Sequence, residues 1–207
     1  MKLLILITVL LLPLTTVGCS KVHPDHRSAV AAIESIGGKV ILNEDKKVID
    51  VQLGSRPVQD EDLKNLSDLD TLEVLHLGGT DITSEGLISI ENLTNLRKLN
   101  IGGGYQKASK IDDAGLTHLK NLSKLEELVL SDTQISDAGL AHLTGLKSLG
   151  SLYIFQTKIS DEGLKHLEEL TSLHTLRAMR TRITEEGGAT FQAKMPNLKN
   201  FIEKQTP

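Results

Sequence analysis

Apolar positions follow two alternating rhythms along residues 48–201. In "LEELVL", residues 125–130, Leu128 and Leu130 fall on one side while Glu127, Val129 and the following Ser131 fall on the other. That period of two is the mark of a short strand buried on one face. A few residues on, Leu140, Leu143 and Leu146 recur every third position, which predicts the inner stripe of a short helix. Ile135 lies between the two elements and is expected to plug the turn into the core. Ser136 is placed to cap the helix, with Asp137 in its first turn complementing the helix dipole. Thr83, Asp112, Ser160 and Thr184 occupy the same slot as Ser136.

The whole unit recurs. "LEVLHLGGTDITSEGLISIENLTN", "LEELVLSDTQISDAGLAHLTGLKS" and "LGSLYIFQTKISDEGLKHLEELTS" are each 24 residues long. Strand centres are predicted at Val51, Leu75, Leu99, Leu128, Leu152, Leu176 and Phe201, 24 apart except for 29 before Leu128 and 25 before Phe201. No single unit can bury its own apolar face, so the units must stack. The pattern L-x-x-L-x-L-x-x-T-x-I-[ST]-[DES]-x-G-L-x-x-L resembles the leucine-rich repeats of bacterial proteins, of the 24-residue type. The resemblance implies an α/β solenoid, a right-handed superhelix with parallel strands on its concave face and short helices on its convex face.

The ends of a stack need lids. "HRSAVAAIESI", residues 26–36, places Ala29, Val30, Ile33 and Ile36 at helical spacing, and Gly37-Gly38 terminates the helix. "KVILN" and "KVIDVQL" predict a hairpin across "EDKK" that leads into the first rung. At the other end, "MPNLKNFIEKQTP" predicts a last strand and a polar tail. The expected organisation is a signal peptide at 1–18, a lipidated tether at 19–25, an N-terminal cap at 26–47, repeats at 48–194 and a C-terminal cap strand with its tail at 195–207.

The signal follows from the opening "MKLLILITVLLLPLTTVGCS": Lys2, an apolar run from Leu3 to Leu12, then small residues up to Gly18-Cys19. The run falls short of the roughly 20 residues a membrane-spanning helix needs, and so reads as a secretion signal. "TVGC" resembles a bacterial lipobox. That implies cleavage after Gly18 and acylation of Cys19, hence a protein facing the periplasm or cell exterior on a lipid anchor. Cys19 is the single cysteine, so no internal disulfide is possible, and an acylated Cys19 leaves no disulfide-linked partner to expect. Without Lys2 the processed chain carries 22 basic and 27 acidic side chains, a net charge of −5. Such a body is not drawn to an anionic surface by charge, so the lipid must hold it there.

Candidate chemistry changes this picture little. The sequence pI is about 6.0 and no basic run could track a phosphate backbone, so nucleic acid is not an expected partner. His118, His142 and His166 share one slot, yet packed helices lie about 8–10 Å apart while zinc bonds are about 2 Å long. These histidines are therefore expected at a solvent-facing edge, not around a metal. Gly102-Gly103-Gly104 lacks the lysine and helix start of a phosphate loop, and is read as a flexible lead into a five-residue insertion. With no G-x-S-x-G motif and no spare cysteine, neither an enzyme nor a cofactor is expected.

Parallel rungs about 4.8 Å apart turn outward strand positions into columns. One column reads Gln52, His76, Asn100, Val129, Tyr153, Arg177, Ile202, and the next Gly54, Gly78, Gly102, Ser131, Phe155, Met179. The N-terminal half is small and polar, whereas Tyr153, Phe155, Arg177 and Met179 crowd two adjacent rungs. With Val129, Arg180 and the insertion residue Tyr105, these form the candidate protein-binding set, because aromatic residues and Arg carry much of the binding energy at interfaces. The competing reading is that Phe155 and Met179 cover the last rungs, where Ala178 takes a leucine slot. The expected function is a membrane-anchored, non-enzymatic module that binds a protein or peptide on its concave face. One alternative is a self-associating structural component of the cell envelope. Another, ranked last because of the secretion-type start, rests on resemblance to the repeats of ubiquitin-ligase substrate receptors.

Overall fold

A computed structural model describes residues 22–104 and 107–202. The signal segment, Cys19, Tyr105 and the tail 203–207 lie outside the described residues, as does the side chain of Ile202. Eight strands form one sheet in chain order: β1 (Lys39–Leu42), β2 (Val48–Gln52), β3 (Val74–His76), β4 (Lys98–Asn100), β5 (Glu127–Val129), β6 (Ser151–Tyr153), β7 (Thr175–Arg177) and β8 (Asn200–Ile202). β1 pairs antiparallel with β2, as the hairpin pattern predicts. From β2 onward every pair is parallel, and Val51, Leu75, Leu99, Leu128, Leu152, Leu176 and Phe201 stand in one row. The solenoid and the register of every rung are those expected.

The opposite layer is built from one-turn helices: α2 (Asp60–Leu63), α3 (Asp113–Leu116), α4 (Asp137–Leu140) and α5 (Asp161–Leu164). Each runs into a single 3₁₀ turn, and in the second rung the whole segment Ser84–Ile90 is 3₁₀. Leucines every third residue suit a helix of three residues per turn, and Leu140, Leu143 and Leu146 are fully buried. Helical segments need more room per rung than strands do, so stacking sets the sheet on the inside of the curve. The Thr of the repeat closes its turn. The hydroxyls of Thr80, Thr133 and Thr157, all buried, donate to the carbonyls of Leu77, Leu130 and Ile154 at 2.7, 2.6 and 2.8 Å.

At Asp112, Ser160 and Thr184 the slot caps as expected, each side chain accepting an N–H of its own helix, from Ala114, Glu162 and Gly187, but the slot also bonds the preceding repeat. Ser136 does begin α4, but its side chain makes no bond within that helix. Its N–H and hydroxyl instead donate to the carboxylate of Asp113, one repeat earlier, at 2.7 and 2.5 Å. The same pairing joins Asp60 to Thr83, Asp137 to Ser160 and Asp161 to Thr184. The aspartate is thus a clamp between repeats as well as a partner of its own helix dipole. It also explains the glycine of the motif: a Cβ on Gly86, Gly139, Gly163 or Gly187 would collide with the preceding repeat's aspartate.

Ser84 stands in the aspartate slot of its repeat, and there the roles reverse: its hydroxyl donates to Asp112 at 2.6 Å and accepts the Asp112 N–H at 3.0 Å. The Ser84 hydroxyl, assisted by the N–H groups of Gly115 and Ala114, holds the Asp112 carboxyl below the usual aspartate range. A depressed carboxyl contributes stability above its unfolded pKa and loses it as pH falls through the folded one. Ser84→Ala is therefore expected to raise the Asp112 pKa toward the ordinary aspartate range and remove most of that acid-side contribution. A carboxyl-carbon NMR titration reads the shift directly.

Residues just before the cap helix pack onto the cap. Val22 is 3% exposed, and the His23 N–H donates to the Lys46 carbonyl at 2.8 Å. An apolar Val22 followed by a 3₁₀ turn at Pro24–His26 draws this part of the chain onto the cap. Helix α1 (Arg27–Ser35) ends at Gly37, with φ +78°, and the Gly38 N–H closes back onto the Ile33 carbonyl at 2.8 Å. His26 is 1% exposed, and its Nδ1 accepts the Val48 N–H at 3.0 Å, which fastens the cap to the first rung. The triple glycine is not a flexible lead. A Cβ on Gly102 would lie 2.7 Å from the Ser131 carbonyl oxygen, and one on Gly104 would lie 2.8 Å from the Cα of Gly79. These glycines let neighbouring backbones touch where the insertion leaves the stack.

Candidate functional site

The in-register strands carry the two outward columns intact. Gln52, His76, Asn100, Val129, Tyr153 and Arg177 follow one another across the pairs. In the next column, main-chain bonds tie rung to rung beyond the strands: Asp132 N–H to the Phe155 carbonyl at 2.8 Å, and Gln156 N–H to the Met179 carbonyl at 2.9 Å. On the N-terminal rungs the Asn100 side chain accepts the Gly102 N–H at 3.1 Å and covers Gly78, which leaves a low polar floor.

The C-terminal rungs are different. Val129, Tyr153, Phe155 and Met179 are half-buried, while Arg177 and Arg180 are exposed. The Arg177 guanidinium lies 5.8 Å from the Tyr153 ring centroid, and that of Arg180 lies 5.3 Å from the Phe155 centroid. Each aromatic is thus paired with an arginine of the following rung, in the range where a cation is attracted to a ring face. Arg180 also donates to the Gln156 side-chain oxygen at 3.3 Å. Burial pushes the Asp132 carboxyl up, and the Arg180 charge opposes that shift. Of the candidate residues, six are brought together here; Tyr105 lies outside the described residues.

The turn that follows each strand was not foreseen. Asp132, Gln156 and Arg180 all have φ near +56° (56°, 56° and 55°), in the slot that Gly79 fills at +73°. A side chain costs about 1–2 kcal/mol in this left-handed region, where glycine is free of the penalty. Arginine at that cost, placed over Phe155, is consistent with a side chain kept for its contacts. The sequence carried a faint signal: glycine at this slot in two repeats, Gly79 and Gly103, and bulky polar residues in later ones.

Elsewhere the chemistry is sparse. Among the described residues no group of three or more His, Cys, Asp or Glu is arranged to hold a metal ion. In the shared histidine slot, the His118 Nδ1 lies 3.2 Å from the Glu91 carboxylate.

Stacked strand–turn–helix units with an inward leucine lattice and one open sheet face are the architecture of a repeat solenoid, and sequence comparison agrees. The Leucine Rich repeat family model matches residues 69–90 and 121–143. These segments are leucine-rich repeats, and the chain folds as a leucine-rich-repeat solenoid. No curated protein matches it. Among solved structures, an internalin C2 from Listeria monocytogenes is similar at 21% identity and a TM-score of 0.53, over 88% of this chain and 86% of that one. A leucine-rich-repeat protein of Leptospira interrogans is similar at 20% identity and a TM-score of 0.51, over 67% of this chain and 33% of that one. At these identities the likeness shows the fold alone.

Proposed function

We propose that this protein is a lipid-anchored, extracytoplasmic binding module that captures a protein or peptide on the C-terminal rungs of its sheet face. The observation that carries this reading is the pair of arginine-capped aromatics, Tyr153 with Arg177 and Phe155 with Arg180, side by side on an otherwise low and polar surface. Aromatic and Arg anchors that are partly desolvated before binding cost little further ordering when a partner arrives. The lipid anchor rests on the resemblance of "TVGC" to a lipobox; among the described residues no helix is long and apolar enough to cross a membrane.

One experiment addresses both parts. Full-length protein is expressed with a labelled fatty acid and used to capture partners from native membranes, alongside Cys19→Ala and the Tyr153→Ser, Phe155→Ser variant. Cys19→Ala is expected to lose the label and move to the soluble fraction. The aromatic variant is expected to keep both and to lose a species that mass spectrometry identifies with the wild type. Label retained without Cys19 would remove the anchor, and identical capture by the aromatic variant would remove the site.

A further inference from the structure

The charges around this site are segregated. Residues 138–160 contain no Asp or Glu, and neither do residues 170–184. The carboxylates between them, Asp161, Glu162, Glu168 and Glu169, belong to the helical side of the stack. The sheet side and turns of the same two rungs carry Lys158, Arg177, Arg180 and Arg182.

Further toward the N-terminus the cations of the rungs are neutralised locally: Arg97 pairs with Glu126 at 2.7 Å, Lys98 with Glu127 at 3.5 Å and Lys107 with Asp81 at 2.9 Å. No carboxylate among the described residues lies within ion-pair distance of Arg177 or Arg180. In a chain with more acids than bases, 27 against 23, this aromatic face therefore presents two arginines without an ion-pair partner among the described residues, the Asp132 carboxylate feeling the Arg180 charge at longer range.

Building on the binding reading above, we infer that the partner presents an acidic polypeptide segment, with an apolar or aromatic residue beside its carboxylates, to Arg177, Arg180, Tyr153 and Phe155. A guanidinium lying over a ring keeps N–H groups available at its edge, although Arg180 gives one to Gln156, and a carboxylate can take two of them at once. The ring beneath fixes the guanidinium and shields one side of the pair from water. Met179 and Val129 offer adaptable apolar contact for a neighbouring side chain. A bilayer surface is the poorer fit, because the sheet lies on the inside of the curve and a flat headgroup layer cannot follow it.

The test selects short random peptides by display on the folded wild-type protein, Arg177→Glu with Arg180→Glu, Arg177→Gln with Arg180→Gln, and Tyr153→Ser with Phe155→Ser; thermal melts verify that each is folded. Wild type is expected to enrich peptides rich in Asp and Glu. Their recovery should fall partly with the glutamine pair and by about tenfold or more with the charge reversal, and weaken as salt rises. Enriched peptides that lack acidic residues and survive charge reversal, yet need Tyr153 and Phe155, would overturn the acidic partner and leave the binding site standing. Peptides recovered equally by the serine variant, or no enrichment over it, would overturn both. Sedimentation with phosphatidylglycerol vesicles that depends on Arg177 and Arg180, beyond that with phosphatidylcholine vesicles, would overturn the polypeptide in favour of a lipid surface.

Discussion

Gly163→Ala destabilises the protein by about 1–3 kcal/mol, although alanine is the better helix former by about 1 kcal/mol. Gly163 sits in α5, buried against the preceding repeat, where an added methyl collides with the Asp137 carboxylate. That carboxylate cannot simply swing away, because its two oxygens hold the Ser160 N–H and hydroxyl at 2.7 and 2.6 Å. Asp137→Ala alone leaves those donors without their acceptor and costs about 1–3 kcal/mol. In the Asp137→Ala background, however, the Gly163→Ala methyl loses its hardest contact, keeping only the tight one with Ile159 Cγ2 at 3.0 Å, and its helix propensity counts in its favour. The two changes should therefore be non-additive, with a coupling of about 1–3 kcal/mol measurable by urea denaturation of the four proteins. Additive losses would mean that the glycine leaves room for something other than the aspartate.

This clamp shows where the sequence stops being readable. Strand register was legible because a period of two decides which leucines face inward, and the 24-residue spacing then aligns every rung. The aspartate was read as a partner of its own helix dipole because that local explanation is sufficient within one repeat. Only the rung separation brings it to the next repeat's hydroxyl. The signal was present as Asp followed by Ser or Thr 23 positions later and Gly 26 positions later, as in Asp137, Ser160 and Gly163. It was present again in the exchange of Ser84 with Asp112, where acid and hydroxyl swap repeats. The triple glycine misled for a related reason: glycine marks both freedom and close approach, and only the neighbouring Ser131 and Gly79 decide between them.

The aromatic site was legible in part. Column arithmetic placed Tyr153, Phe155, Arg177 and Met179 on one face. That each arginine lies over the ring of the preceding rung depends on rotamers and on the left-handed turn at Arg180, neither of which a repeat pattern specifies.

The second large effect concerns binding. Tyr153→Ser with Phe155→Ser is expected to weaken partner binding by roughly 100-fold or more, since truncating a central aromatic anchor typically costs about 2 kcal/mol or more. The fold should survive. Both rings are half-exposed on the sheet face, whereas Leu152 and Ile154, which alternate with them in sequence, face inward and are fully buried in the leucine lattice. The stability lost is the ring–guanidinium attraction, about 0.5–1 kcal/mol for each exposed pair, together with part of the rings' apolar burial. Binding and stability are thus separable here, whereas in the aspartate clamp they are not expected to be. A variant that unfolds would instead show that Phe155 and Met179 serve as a cover for the last rungs, beside the buried Ala178.

The most direct measurement is site-specific photo-crosslinking in native membranes, with a photoreactive aromatic residue placed at Phe155 in one protein and at Ile88 in another. Ile88 is 57% exposed within the 3₁₀ segment of the helical layer and reports on the opposite side of the stack. A discrete adduct from position 155, with none from position 88, is the expected result. An adduct from position 88 alone, or none from either position, would contradict capture on the C-terminal sheet face.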